Sequence, residues 1–141
     1  MNIGPENPLR FPHGIEVAKI NLPSDNKEGF TAMNLWLRQN GLLPENLLYR
    51  GCNGARLERI LIEGTDRDDV FISCMDFETL KDYPANGLFH PLKLARQHTS
   101  PMVLMYDSRL VQKEIGYSYS FKPEIHPTAA LQQVLLINGE I

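Results

Sequence analysis

Residues 47–54 read Leu-Leu-Tyr-Arg-Gly-Cys-Asn-Gly, an apolar and aromatic run that closes on an arginine beside a glycine. Leu47 to Tyr49 have strand character. A strand that finishes at Arg50-Gly51 delivers a fixed cation to the rim of a sheet, where loops carry binding and catalysis. The competing interpretation is a surface arginine in a salt bridge. The flanking elements decide what kind of sheet this strand joins.

Upstream, Asp25 or Asn26 can cap a helix through Phe30, Met33, Leu35, Trp36 and Leu37, whose spacing gives one buried face with Trp36 as a core anchor. Gly41 stops it. The first 23 residues hold four prolines and one short candidate strand, Ile15 to Ile20, and are expected as an arm or edge outside the core.

Downstream, Leu57, Ile60 and Leu61 recur at helical spacing within Ala55 to Glu63, and Gly64 offers a left-handed stop. Thr65-Asp66-Arg67-Asp68-Asp69 is expected as a solvated loop leading to a short strand, Val70-Phe71-Ile72-Ser73. Asp76 can cap a helix through Phe77, Leu80 and Tyr83, ended by Pro84 and Gly87. A helical turn or two is expected over 91–98. Met102 to Tyr106, Tyr117 to Phe121 and Gln133 to Ile137 have strand patterns.

Helices thus cluster in the N-terminal half and short strands follow them, without sustained βαβ alternation. The fold class expected is α+β, a small split or mixed sheet with helices mainly from the N-terminal half. The 141 residues make one domain, with residues 1–23 as a Pro-rich arm and 24–141 as the body.

Composition narrows the function classes. Hydrophobic residues make up 43% and charged residues 22%, as in a soluble globular chain, and a net charge of -3 gives no general electrostatic reason to bind nucleic acid. Apolar runs such as Val134 to Ile137 fall far short of the roughly 20 residues of a membrane helix, and the N-terminus lacks the basic start and apolar middle of a signal peptide. A cytoplasmic location is the expectation. Cys52 and Cys74 are in no CxxC pair and are expected as free thiols. The histidines, His13, His90, His98 and His126, are too dispersed for a local metal motif, so no metal ligand is assigned. Neither GxGxxG nor GxxxxGK[ST] occurs, which speaks against Rossmann and P-loop nucleotide sites.

The order Leu-Tyr-Arg-Gly on one strand, Phe-Ile-Ser on a second, a helix after that serine, and an apolar strand followed by Tyr-Asp-Ser-Arg-Leu-Val resembles the ADP-ribosyltransferase fold of the arginine-serine-glutamate type. The resemblance spans residues 47–137, about two thirds of the chain. It implies that Arg50, flanked by Tyr49 and Gly51, binds a nicotinamide dinucleotide (NAD), and that Ser73 supports the nicotinamide-side ribose. The catalytic glutamate of that family falls here on Gln132-Gln133. Gln133 is the expected occupant and Gln132 the alternative after a one-residue slip. Glutamine keeps the shape and loses the charge. Glu124 or Glu140 could supply a carboxylate by a different loop path.

The chemistry accounts for those residue types. Cleaving a nicotinamide–ribose bond develops oxocarbenium character, which an anion near the ribose and a cation on the pyrophosphate would stabilise. A guanidinium offers a permanent charge and forked donors, and a glycine lets backbone approach a bulky ligand. The function expected is therefore an ADP-ribosyltransferase-like domain that binds NAD or an ADP-ribosyl ligand, with transfer of ADP-ribose to an unknown acceptor, such as a protein, implied by the resemblance. The alternative is a non-catalytic protein-interaction module on the same or a similar α+β fold.

Overall fold

A computed structural model describes residues 9–10, 15–66, 71–82 and 90–140. Val70, Tyr83, Pro84, Gly87 and His13, which entered the sequence expectations, lie outside the described residues.

Among the described residues, nine strands form two sheets. The larger contains β1 (Leu9–Arg10), β2 (Glu16–Leu22), β3 (Leu47–Asn53), β5 (Met75–Asp76), β6 (Pro101–Asp107) and β9 (Leu131–Glu140) in the order β1-β2-β9-β6-β3-β5. The smaller contains β4 (Ile72–Ser73), β7 (Val111–Lys113) and β8 (Ser118–Phe121) in the order β4-β8-β7. Pairing is antiparallel except between β2 and β9, where Val17 lies opposite Val134 and Ile20 opposite Ile137. The mixed α+β class expected from the sequence is therefore present.

Side-chain alternation splits the core of the large sheet into two layers. On one face Ala18, Leu22, Leu47, Tyr49, Val103, Met105, Leu135 and Ile137 pack under three helices, α1 (Asn26–Gln39), α3 (Phe77–Asp82) and α4 (Pro91–Ala95), through Phe30, Met33, Leu37, Leu80, Leu92 and Ala95. On the other face Val17, Leu48, Cys52, Met102, Leu104, Tyr106 and Val134 meet Ile60 of α2 (Leu57–Glu63), Ala130 of α5 (Pro127–Ala130), and Ile72, Val111 and Tyr119 of the small sheet. The small sheet is thus a lid on one face of the large one.

Local signals explain the helix ends. Asp25, not Asn26, caps α1, its carboxylate accepting the Glu28 N–H at 2.9 Å. Asp76 likewise accepts the Thr79 N–H at 2.7 Å and starts α3. Gly64 ends α2 at φ 81, and a Cβ there would lie 2.4 Å from Pro127 C, so only glycine lets α2 close onto α5.

Three expectations are corrected. The strand in residues 15–22 belongs to the core and not to an arm. Ile15, Val17 and Leu22 are buried, and β2 lies between β1 and β9. Trp36 is only partly buried and Leu35 is 58% exposed, while the fully buried aromatic beneath α1 is Tyr49. Third, β3 does not end at Arg50. It runs on to Asn53, fully paired with β6, so Arg50 is mid-strand, opposite Leu104.

Candidate functional site

On β3, Leu48, Arg50 and Cys52 point to the α2 and small-sheet side, and Tyr49 and Gly51 to the helix side. The Arg50 side chain therefore enters the layer between the sheets, and the residue is buried at 8% exposure. A guanidinium there needs partners. Its Nε and Nη2 donate to the two carboxylate oxygens of Asp66 at 3.0 and 3.3 Å, and Nη1 donates to the backbone carbonyl of Ser73 at 3.0 Å. Burial alone would weaken its charge, but the hydrogen-bonded Asp66 carboxylate outweighs that and holds the guanidinium above the ordinary arginine range.

Asp66 is held in place from behind. The Tyr106 hydroxyl donates to the Gly64 carbonyl at 2.6 Å, which fixes the turn after α2. Ser73 belongs to a crossover in which the chain leaves the small sheet at β4 and enters the large sheet at β5. The residue between them, Cys74, donates its N–H to the Tyr117 carbonyl at 2.8 Å. Arg50 therefore ties β3, the turn after α2 and the crossover between the two sheets to one point.

The sequence-predicted binding residues do share a location. Tyr49, Arg50, Gly51 and Ser73 line a cavity together with Tyr117 and Leu94, but its volume is ≈ 20 Å³, space for about one water molecule. Gly51 has a different cause from the one expected. A Cβ there would lie 2.1 Å from the Pro91 carbonyl oxygen and 2.8 Å from the Ala95 nitrogen. The missing side chain admits α4 against β3 and leaves no approach for a ligand. Tyr49 is buried, its hydroxyl donating to Asn34 Oδ1 at 2.8 Å. The Ser73 side chain is exposed, and only its carbonyl meets Arg50.

Gln133 does not join this group. It lies opposite Met105 on β6 and alternates with Val134, which places it on the helix side of the large sheet, whereas Arg50 occupies the other side. It has no exposed surface, and its Nε2 donates to the Glu16 and Val134 carbonyls at 3.2 and 3.0 Å. Its Oε1 is buried without a partner. The expected convergence of Arg50, Ser73 and Gln133 on one cleft is therefore corrected. Gln132 sits at the irregularity in the β6–β9 register, where Tyr106 pairs with Leu131. Glu124 occupies an exposed turn at φ 68, and Glu140 ends β9 opposite Leu22.

The carboxylate nearest in the chain to the small sheet of Ser73 is Glu114, in the turn just after β7, which sequence reasoning did not single out. Ser73 pairs with Ser118, the Glu114 N–H donates to the Ser118 carbonyl at 2.8 Å, and the Ser120 hydroxyl donates to Glu114 Oε1 at 2.6 Å. The available signal was the turn at Gly116 between Glu114 and the alternating Tyr117 to Phe121 pattern, which marks a hairpin.

The remaining reactive groups are quiet. Burial pushes the Cys74 thiol up to about 12 and the Cys52 thiol higher still, so neither is a thiolate nucleophile at neutral pH. At the end of β6, Asp107 accepts Arg109 N–H, Nε and Nη2, which is a turn-closing contact. No helix among the described residues is long and apolar enough to cross a membrane. Compared with protein-family models, curated proteins and solved structures, the chain matches none of them.

Proposed function

We propose that this chain is a non-catalytic interaction module, which acts through its surface on a protein partner and uses Arg50 to hold its two sheets together. One observation carries this reading. Among the described residues the Arg50 guanidinium makes three polar contacts, to Asp66 and the Ser73 carbonyl, so a phosphate or ribose would have to displace protein acceptors already held at hydrogen-bond distance. The cost of separating a buried guanidinium from its carboxylate is several kcal/mol.

A second reading, the binding of NAD at the junction of the sheets, is favoured by a different observation. The four residues singled out for it, Tyr49, Arg50, Gly51 and Ser73, line one cavity. In that reading the anion beside the ribose is Glu114, in the turn between β7 and β8, and the Gln133 amide on the other side of the large sheet takes no part.

Calorimetric titration with NAD, together with an assay for nicotinamide release, separates the two. The chain is expected to give neither saturable heat nor released nicotinamide. Saturable binding would overturn the module reading. Its loss in Ser73→Ala or Glu114→Gln, both at exposed side chains whose replacement spares the core, would establish the second reading in its place.

A further inference from the structure

The sequence holds four Asn-Gly pairs, at 40–41, 53–54, 86–87 and 138–139, of which the first, second and fourth lie among the described residues. Such a pair is chemically self-reactive. The glycine nitrogen can attack the asparagine Cγ, because no side chain on the glycine hinders it. The new N–C bond closes a succinimide, the bond to the carboxamide nitrogen breaks, and the proton from the glycine nitrogen leaves with that group as ammonia. Water then opens the ring at either carbonyl and leaves aspartate or isoaspartate. The reaction requires the glycine nitrogen to be released from other bonds and swung toward Cγ, so the fold determines which pair can react.

We propose that Asn40-Gly41, at the exposed end of α1, is a self-modification site of this chain, whereas the same dipeptide at Asn53-Gly54 is locked. Asn40 follows the last turn of the helix at φ -104 and ψ 18, outside any strand ladder. Gly41 lies at φ 80, with no atom within 4 Å of where a Cβ would be. Its N–H makes a long bond of 3.2 Å to the Arg38 carbonyl. Asn40 and Gly41 are both exposed, so although the turn is closed by the Leu42 N–H to the Leu37 carbonyl at 2.9 Å, no packed group has to move when it opens locally.

Asn53 has the same chemistry and the opposite surroundings. The Gly54 N–H donates to the Ser100 carbonyl at 2.6 Å, and Asn53 Oδ1 accepts the Ala55 N–H at 3.0 Å. Gly54 is also wedged in place, since a Cβ there would meet Ser100 Oγ at 2.7 Å and Leu136 at 3.1 Å. Both pairs are hydrogen-bonded, and what distinguishes Asn53-Gly54 is the packing that blocks the swing which the open surroundings of Gly41 allow. Asn138 is intermediate. It is exposed where the β2–β9 register slips, but Ile137 and Gly139 pair with β2 on either side of it.

Conversion at Asn40 has a structural consequence. The carboxamide donates from Nδ2 to the Trp36 carbonyl at 2.8 Å, and a carboxylate cannot. It also adds a negative charge at the carbonyl end of a helix, which repels it. The last turn of α1, which carries Trp36 and Leu37, loses its side-chain tie.

The test incubates the full native chain at mildly alkaline pH and follows each pair by peptide mapping that separates aspartate from isoaspartate. Asn40 is expected to convert about tenfold faster than Asn53, because each pair carries two hydrogen bonds but only Gly54 is also packed against Ser100 and Leu136, with Asn138 between them. A parallel incubation in urea should bring the three rates together. Conversion of Asn53 or Asn138 ahead of Asn40, or a native difference that persists unchanged in the unfolded chain, would overturn the proposal.

Discussion

If Arg50 holds the two sheets together, removing its partner should damage the fold more than the surface position of most salt bridges would suggest. Asp66→Ala removes the acceptor of two guanidinium hydrogen bonds and leaves a cation with one contact, the Ser73 carbonyl at 3.0 Å. The two side chains are only 9% and 12% exposed, so water cannot fully replace the carboxylate. Breaking a fully buried pair from one side costs about 3–5 kcal/mol. With the residual exposure, a loss of about 2–4 kcal/mol is expected. Arg50→Met, which keeps the length of the stem and leaves Asp66 unpaired near the edge of the layer, should cost somewhat less. The Arg50→Met/Asp66→Ala double variant should recover part of the loss, because with both charges removed no buried ion is left unpaired. Urea denaturation of the four proteins closes the cycle, with a coupling energy above about 1 kcal/mol expected for groups in direct contact. Single-variant losses below about 0.5 kcal/mol, the range of surface substitutions, would refute the structural role and return Arg50 to the free state that a ligand anchor requires.

Two further outcomes follow from other buried polar groups. Gln133→Glu would set a carboxylate against the Glu16 and Val134 carbonyl oxygens, so urea titration should show a loss of about 3 kcal/mol or more, whereas Gln133→Met should stay within about 1.5 kcal/mol. A well-folded Gln133→Glu variant would contradict the buried placement of that amide. His90 is buried edge-on to Phe30, at a ring separation of 5.6 Å, and burial first, then the charge of Arg96, lowers its pKa below the ordinary histidine range. A base whose folded pKa lies below its unfolded one stays neutral in the native chain while the unfolded chain takes up protons. Its contribution is present above the unfolded value of about 6.5 and is lost as pH falls through the folded one, at up to about 1.4 kcal/mol per pH unit. His90→Leu should flatten that limb of the stability profile. A wild-type and variant difference that is constant with pH would exclude His90 as its source.

Much of the fold was legible because short-range signals set it. The caps at Asp25 and Asp76, the left-handed stop at Gly64, the continuous apolar strand at 102–106 and the alternating one at 117–121 each depend on a few neighbouring residues. The site was less legible because it depends on long-range pairing. Nothing local in Ile15 to Ile20 says that it pairs in parallel with residues 134–137, and four nearby prolines suggest an arm. The facing of Gln133 depends on which side of β9 meets β2 and β6. An alternation pattern identifies two faces without saying which one lies with Arg50. Asp66 was hidden among the charges of Thr65 to Asp69, which as a set read as a solvated loop. Only the burial of Arg50 shows what Asp66 does there.

The arginine that closes the apolar run Leu47 to Tyr49 thus has a cause unlike the one its position suggested. An alternating buried strand needs an apolar residue at each turn of its pattern, and Arg50 occupies such a place between Leu48 and Cys52. Apolar side chains on both neighbours could seal the sheet against α2 and the small sheet, but they could not fix the crossover at Ser73 to Met75, whose carbonyl groups leave one sheet before joining the next. A crossover of this kind leaves a buried acceptor, and a buried acceptor without a donor costs about 1–3 kcal/mol. Arg50 reaches it with Nη1, and the charge that this donor brings is balanced by Asp66. The glycine that follows is set by the opposite face, where Pro91 and Ala95 leave no room for a Cβ. Arginine and glycine stand side by side because consecutive strand residues answer to different layers, one to the junction of the sheets and the other to a helix laid on the backbone.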